Sequence, residues 1–282
     1  MRRRASYRAA LRAARGAAAL APELLPGRTA VVRENLRLAF GRADPALVRG
    51  VYRHFASAAV DLLFFRALYD PARFEEHFRL EGDGLAHHRA TRPPASILVT
   101  GHFGNWELYA AAIRHLGVRI ASVARPLRVP WVDRAVDRLR RAQGQETIPK
   151  RDALPLALKA LKRGVSVVFL VDQAAGREGI DVPFFGRPAR TFAAPAALAL
   201  KLGLPIYAGY STRLADGIRY RCFAEHVPAE GDVPALTARL NAILEGYVRA
   251  CPEQWWWFHR RFKPPRAERR GQKVSPAGVP LG

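Results

Sequence analysis

The stretch Ala95-Ser96-Ile97-Leu98-Val99-Thr100-Gly101-His102-Phe103-Gly104-Asn105-Trp106-Glu107-Leu108 decides how the rest of the chain is read. Its first six residues are apolar and partly β-branched, the composition of a strand buried on both faces. From Asn105 onward Trp106, Leu108, Tyr109, Ile113 and Leu116 recur at helical spacing. Gly101 and Gly104 permit a tight turn between the two. Strand, glycine turn and helix in that order open an α/β unit.

The turn also carries chemistry. Imidazole is the side chain best suited to take a proton from a hydroxyl near neutral pH, and a carboxylate can fix its tautomer and steady the cation. On one continuous helix, the five positions from His102 to Glu107 turn through roughly 500°, leaving the side chains about 140° apart. They converge only if His102 lies in the turn and Glu107 in the first helical turns. The expectation is a catalytic base, His102, oriented by Glu107. Backbone N–H groups near Gly104 and Asn105, at the positive end of the helix dipole, would face a developing oxyanion. The ordinary alternative for such a histidine is a helix cap or a packed residue.

Working outward, strands and helices alternate. Val118–Ala124, Val165–Val171, Pro205–Ser211 and Arg219–Ala224 read as strands. Trp131–Arg141, Leu154–Lys162, Ala194–Leu202 and Leu236–Val248 read as helices. The pattern predicts an α/β fold: a mainly parallel central sheet flanked by helices, with an N-terminal helical region. Residues 28–81 read as helical, Gly82–Pro94 as a loop and 95–263 as the α/β core, so that 28–263 form one domain. The tail 264–282, rich in Pro, Gly and charge, reads as disordered. In such sheets ligands sit at the carboxyl ends of the strands. His102, Arg125-Pro126 and Asp172-Gln173 each follow a predicted strand, and parallel strands would place them on one rim.

Composition narrows the partners. The 282 residues carry 46 Lys+Arg against 24 Asp+Glu, a formal net charge of +22. Such an excess attracts polyanions: nucleic acid, an anionic membrane, an acidic protein or a phosphorylated substrate. No nucleic-acid motif accompanies the charge, so nucleic acid is not expected as a partner. The two cysteines, Cys222 and Cys251, build neither a disulfide framework nor a zinc site, and no metal site is expected. No segment approaches the ~20 apolar residues that span a bilayer. Residues 1–27, with Arg4 and Arg8 among six early arginines, read as a basic helix on an anionic surface. Trp255 and Trp256, beside His259, Arg260 and Arg261, suit a membrane interface, with core packing taking at least one of the three neighbouring tryptophans.

His102 and Glu107 with four residues between them are similar to the His-x4-Asp/Glu motif of glycerolipid acyltransferases. The fuller Gly101-His102-Phe103-Gly104-Asn105-Trp106-Glu107 resembles a narrower branch, the bacterial lipid A biosynthesis acyltransferases. Further motifs resemble the same family in order: Arg125-Pro126 and Arg140, Asp172-Gln173, Val182-Pro183-Phe184-Phe185-Gly186, and Pro252-Glu253-Gln254-Trp255 through Phe262. Asn35-Leu36 and Phe40 fit its N-terminal pattern. The likeness runs from about Arg33 to Lys263. Two departures stand out. Many members carry an N-terminal transmembrane helix where this chain has a basic, Ala-rich segment. The family's small Gly-containing sequence after Pro-Phe-Phe-Gly reads Thr191-Phe192-Ala193-Ala194-Pro195 here.

The resemblance implies an O-acyltransferase without a cofactor. It would move a fatty acyl chain from an acyl carrier protein or acyl-CoA thioester to a hydroxyl of a phosphorylated lipid A precursor. It would act at the cytoplasmic face of the inner membrane, its site facing a hydrophobic tunnel open toward the membrane; the basic segment in place of a transmembrane helix makes peripheral attachment the expectation. Another glycolipid or aminolipid acceptor served by acyl-CoA is one alternative, and a basic nucleic-acid- or membrane-binding protein without catalysis is another. Arg125 and Arg140 would bind substrate phosphate or position the dyad, or be surface arginines. Asp172 would orient an arginine or anchor its loop beside Gln173. Phe185, Arg187 and Arg190 would line the acceptor site.

Overall fold

The computed structural model describes residues 2–65, 71–126, 129–176 and 179–262. Among them seven strands form one sheet: β1 (Phe78–Glu81), β2 (Ile97–Thr100), β3 (Ile120–Ala124), β4 (Glu146–Pro149), β5 (Ser166–Leu170), β8 (Ile206–Arg213) and β9 (Tyr220–Val227). Their order is β1-β9-β8-β2-β5-β3-β4. From β8 to β4 the strands are parallel, and β9 runs antiparallel to β8. A separate hairpin pairs β6 (Gly179–Phe184) with β7 (Arg187–Phe192). The α/β expectation is met, with a mostly parallel sheet.

The central strands read as unbroken apolar runs because both faces are covered. In β2, Ile97 and Val99 face one apolar layer and Leu98 the other. In β5, Val167 and Phe169 share the first layer and Val168 the second. Helices Ala153–Lys162, Ala194–Leu202 and Val233–Ala250 cover the first face, and helix Trp106–His115 the second. Ile97 and Leu108 are fully buried. Truncating either to alanine should cost about 2–5 kcal/mol.

Several elements escape the apolar pattern. Glu146–Pro149 buries only Ile148 and lies at the sheet edge, where one covered face leaves little signal. Phe78–Glu81 is the opposite edge, so 28–81 is not wholly helical. Asp83–Thr91, expected as loop, is a helix. Pro183 and Pro188 hide the hairpin, yet each sits in a strand outside the main sheet, where a missing N–H is tolerated.

The basic N-terminal segment forms a helix over Arg2–Ala18 and packs one face on the rest of the chain. In helix Arg2–Ala18, Tyr7 and Leu11 are buried against Val60 of helix Pro45–Leu63. Arg8 and Arg12 are exposed. The side chain of Arg4 and the tail 264–282 lie outside the described residues. No helix of the described residues is long and apolar enough to cross a membrane.

Candidate active site

Thr100 of β2 pairs in register with Leu170 of β5. Two residues beyond each strand come His102 and Asp172. Neighbouring strands lie about 4.8 Å apart, so equal offsets bring the two side chains together. His102 Nδ1 lies 2.8 Å from Asp172 Oδ1, and the His102 backbone N–H donates to Oδ2 at 2.8 Å. The Trp255 indole N–H also donates to Oδ2, at 2.9 Å. Gly101 allows the approach: a Cβ there would lie 3.1 Å from Asp172 Cγ. Burial opposes the charge of Asp172, but the His102 imidazole and these donors outweigh it and hold the carboxyl below its ordinary range. An ionised Asp172 keeps the Nδ1 proton, which leaves Nε2 as the lone-pair nitrogen.

His102 does lie in the turn and Glu107 in the first turn of the helix, after the Asn105 N-cap. The two do not form the expected pair. Glu107 is buried and its Oε2 accepts from Arg140 Nε at 3.0 Å, with a second Arg140 nitrogen on Oε1. Burial works against the Arg140 charge, but the hydrogen bonds and charge of Glu107 outweigh it and raise the guanidinium's pKa. The Trp106 indole donates to Glu107 Oε1 at 3.1 Å, while its ring stands edge-on to His102, centroids 4.9 Å apart. Glu107 therefore touches His102 only through Trp106. Lying in the turn is not enough to bring Glu107 to the ring, because Arg140 holds the carboxylate, whereas the strand register gives Asp172 direct access.

The amides of Gly104 and Asn105 are not open to an oxyanion. Gly104 N–H donates to Gln254 O at 2.8 Å, and Asn105 N–H to Ser211 Oγ at 3.0 Å. Gly104 has φ +59°, and a Cβ there would fall 1.6 Å from Ser211 O. The first-turn amides of Trp106 and Glu107, ahead of the capped Leu108, have no intrahelical acceptor.

The other expected residues divide. Gln173 flanks the ring, its Nε2 3.5 Å from both His102 nitrogens. Arg125 is exposed at the end of β3. Arg140 is committed to Glu107 rather than free for phosphate. Arg187 donates to Leu38 O at 2.9 Å, and Arg190 pairs with Asp181 at 2.9 Å. Phe185 is a buried hairpin anchor with φ +53°, packed on Phe40 and Phe184, not a pocket surface. Trp255 is also core, at 1% exposure, and cannot reach a membrane. Trp256 is half-buried. With Phe55, Trp106 and Phe258, also half-buried, it forms an aromatic wall beside His102.

Sequence reasoning missed the residues that brace the turn. His54 Nε2 lies 2.9 Å from Gly104 O, and burial pushes this imidazole down to about 3, so it donates as a neutral ring. Arg261 is fully buried and donates to Arg190 O and Thr191 Oγ1, both at 2.7 Å, tying the hairpin to the core. Burial lowers its guanidinium to about 10. Helical spacing of His54, Ser57 and Asp61 on one face of Pro45–Leu63 was the available signal.

A buried carboxylate holds an imidazole at the carboxyl end of a parallel sheet, the edge where α/β proteins carry their sites. No group of three or more metal-capable side chains occurs among the described residues. Comparison with known proteins makes the class specific. The family model for bacterial lipid A biosynthesis acyltransferases matches residues 3–264. The lipid A biosynthesis palmitoleoyltransferase of Escherichia coli strain K12 is 28% identical over 87% of this chain and 82% of its own. The lauroyltransferase of the same organism is 28% identical over 94% and 85%. The phosphatidylinositol mannoside acyltransferase of Mycolicibacterium smegmatis is 24% identical over 57% and 54%. The chain belongs to the bacterial lipid A biosynthesis acyltransferase family.

Proposed function

We propose that the protein transfers a fatty acyl chain from a thioester, carried by acyl carrier protein or coenzyme A, to a hydroxyl of a lipid A precursor. The observation that carries this is the His102–Asp172 pair, which leaves Nε2 as the base. His102 Nε2 takes the acceptor hydroxyl proton, and the oxygen attacks the thioester carbonyl. The first-turn amides of Trp106 and Glu107, which have no intrahelical acceptor, and the Gln173 amide beside the ring receive the charge that develops on the carbonyl oxygen. Collapse breaks the C–S bond, and the thiolate leaves with the proton from Nε2. Ester and free thiol are the products. Asp172 steadies the imidazolium between the two transfers. The aromatic wall of Phe55, Trp106, Trp256 and Phe258 takes the start of the acyl chain.

Attachment to the cytoplasmic face of the inner membrane is peripheral in this reading. The wet apolar residues Leu20, Leu24 and Leu25 adjoin the basic helix of Arg8 and Arg12, and replace the buried Trp255 as the inserting group. Arg125, exposed at the rim, is the arginine left to meet substrate phosphate. The test is mass spectrometry of the lipid A fraction after incubation with carrier-protein and CoA thioesters. One added acyl group per acceptor, lost in His102→Ala, is expected. An unchanged acylation pattern with the wild type overturns the reading.

A further inference from the structure

Asp61 is fully buried in helix Pro45–Leu63 and accepts from four donors that come from four parts of the chain. Asn105 Nδ2 reaches Oδ2 at 3.0 Å, and Arg213 Nη2 and the Tyr220 hydroxyl meet the same oxygen. Oδ1 receives Tyr7 OH at 2.7 Å. Tyr7 belongs to the N-terminal helix, and Asn105 caps the helix that follows His102. The same Arg213 is paired through its backbone with the Gln254 side chain, and Gln254 O holds Gly104 N–H. One carboxylate thus stands between the N-terminal helix and the catalytic turn.

The division of donors matters. Three of the four share Oδ2, so Tyr7 on Oδ1 fixes how the carboxylate plane is turned. Without that hydroxyl the plane can rotate, and the oxygen that holds Asn105 moves with it. Asn105 cannot compensate, because its own oxygen is committed to Leu108 N–H and its backbone to Ser211. Burial and the Asp61 charge push the Tyr7 hydroxyl up, so it stays protonated and remains a donor.

We propose that Tyr7 and Asp61 are positioning residues for the catalytic turn, acting through Asn105, so that full turnover requires the N-terminal helix to be docked. The proposal rests on the acyl-transfer reading for its rate effect, but not for its structural coupling. The exposed arginines of that helix, Arg8 and Arg12, then lie on the element whose buried face braces the site.

The experiment compares the full chain with Tyr7→Phe, Asn105→Ala and the double variant. Phenylalanine keeps the ring contact with Phe64, 5.4 Å between centroids. In Tyr7→Phe, kcat is expected to fall about tenfold at an unchanged thioester KM, the effect of one lost hydrogen bond on the barrier. In the Asn105→Ala background, Tyr7→Phe should cost nothing more. A second arm needs no activity: amide exchange over residues 103–108 should quicken in Tyr7→Phe while β2 and β5 stay protected. Additive losses in kcat, or unchanged exchange at 103–108, overturn the proposal. Should Asn105→Ala not fold, the exchange arm decides alone. Absent acyl transfer in the wild type would sink the acyl-transfer reading and leave the exchange arm to judge the coupling.

Discussion

Exchanging Asp172 for asparagine preserves the side chain's size and removes the charge that fixes the His102 tautomer. Turnover should drop on the order of 10²–10⁴-fold, with the melting temperature little changed, as steady-state kinetics and calorimetry would report. Glu107 should behave differently. Glu107→Gln leaves the Arg140 guanidinium, only 17% exposed, without its counter-charge. The expected loss is on the order of 3 kcal/mol in urea unfolding, and Glu107→Gln with Arg140→Met should recover most of it. Equal stability of the single variant and wild type would refute the buried-pair account. The place of His102 in the turn was legible because the strand end and the two glycines agree. Its partner was not, because spacing along one chain segment favoured the carboxylate nearest in sequence. The register of β2 on β5, which decides for Asp172, cannot be read from either strand alone.

The turn between β2 and its helix is the most constrained element. Gly104→Ala would place a methyl group on Ser211 O at a positive φ. Unfolding in urea should show a loss of at least about 2 kcal/mol, larger than for an exposed glycine such as Gly186. Elements buried on both faces, such as β2 and β5, announced themselves, and helix Ala194–Leu202 was read to the residue. Edge strands did not, because one face of Glu146–Pro149 meets water and the alternation shrinks to a single buried residue. The Pro-Phe-Phe-Gly block was legible as a motif but not as a hairpin. Its phenylalanines serve the core, and its arginines are held by Leu38 and Asp181.

At the scale of the whole molecule, acid should weaken the fold over a defined range. His54 titrates near 3 when folded and near about 6.5 when unfolded. The folded value is the lower, so between these limits the unfolded chain binds a proton that the folded chain refuses. Stability is complete above about pH 6.5 and is lost on acidification at about 1.4 kcal/mol per pH unit. His88 and His226, also shifted down by burial, act in the same direction. Asp172, with its carboxyl depressed, adds a further loss below about pH 4. Urea midpoints at pH 7 and pH 5 would measure the slope, and His54→Gln, which keeps a donor for Gly104 O, should flatten it. The +22 charge predicts binding to anionic vesicles that fades as salt rises from about 0.05 to 0.5 M, while neutral vesicles bind little. The pairing of β2 with β5 also bears on biosynthesis. His102 and Asp172 are 70 residues apart and meet only across two zipped strands. A nascent chain therefore carries His102 out of the ribosome well before β5 has emerged and Asp172 can reach it. The pair forms only as the sheet closes, so a half-made chain lacks it.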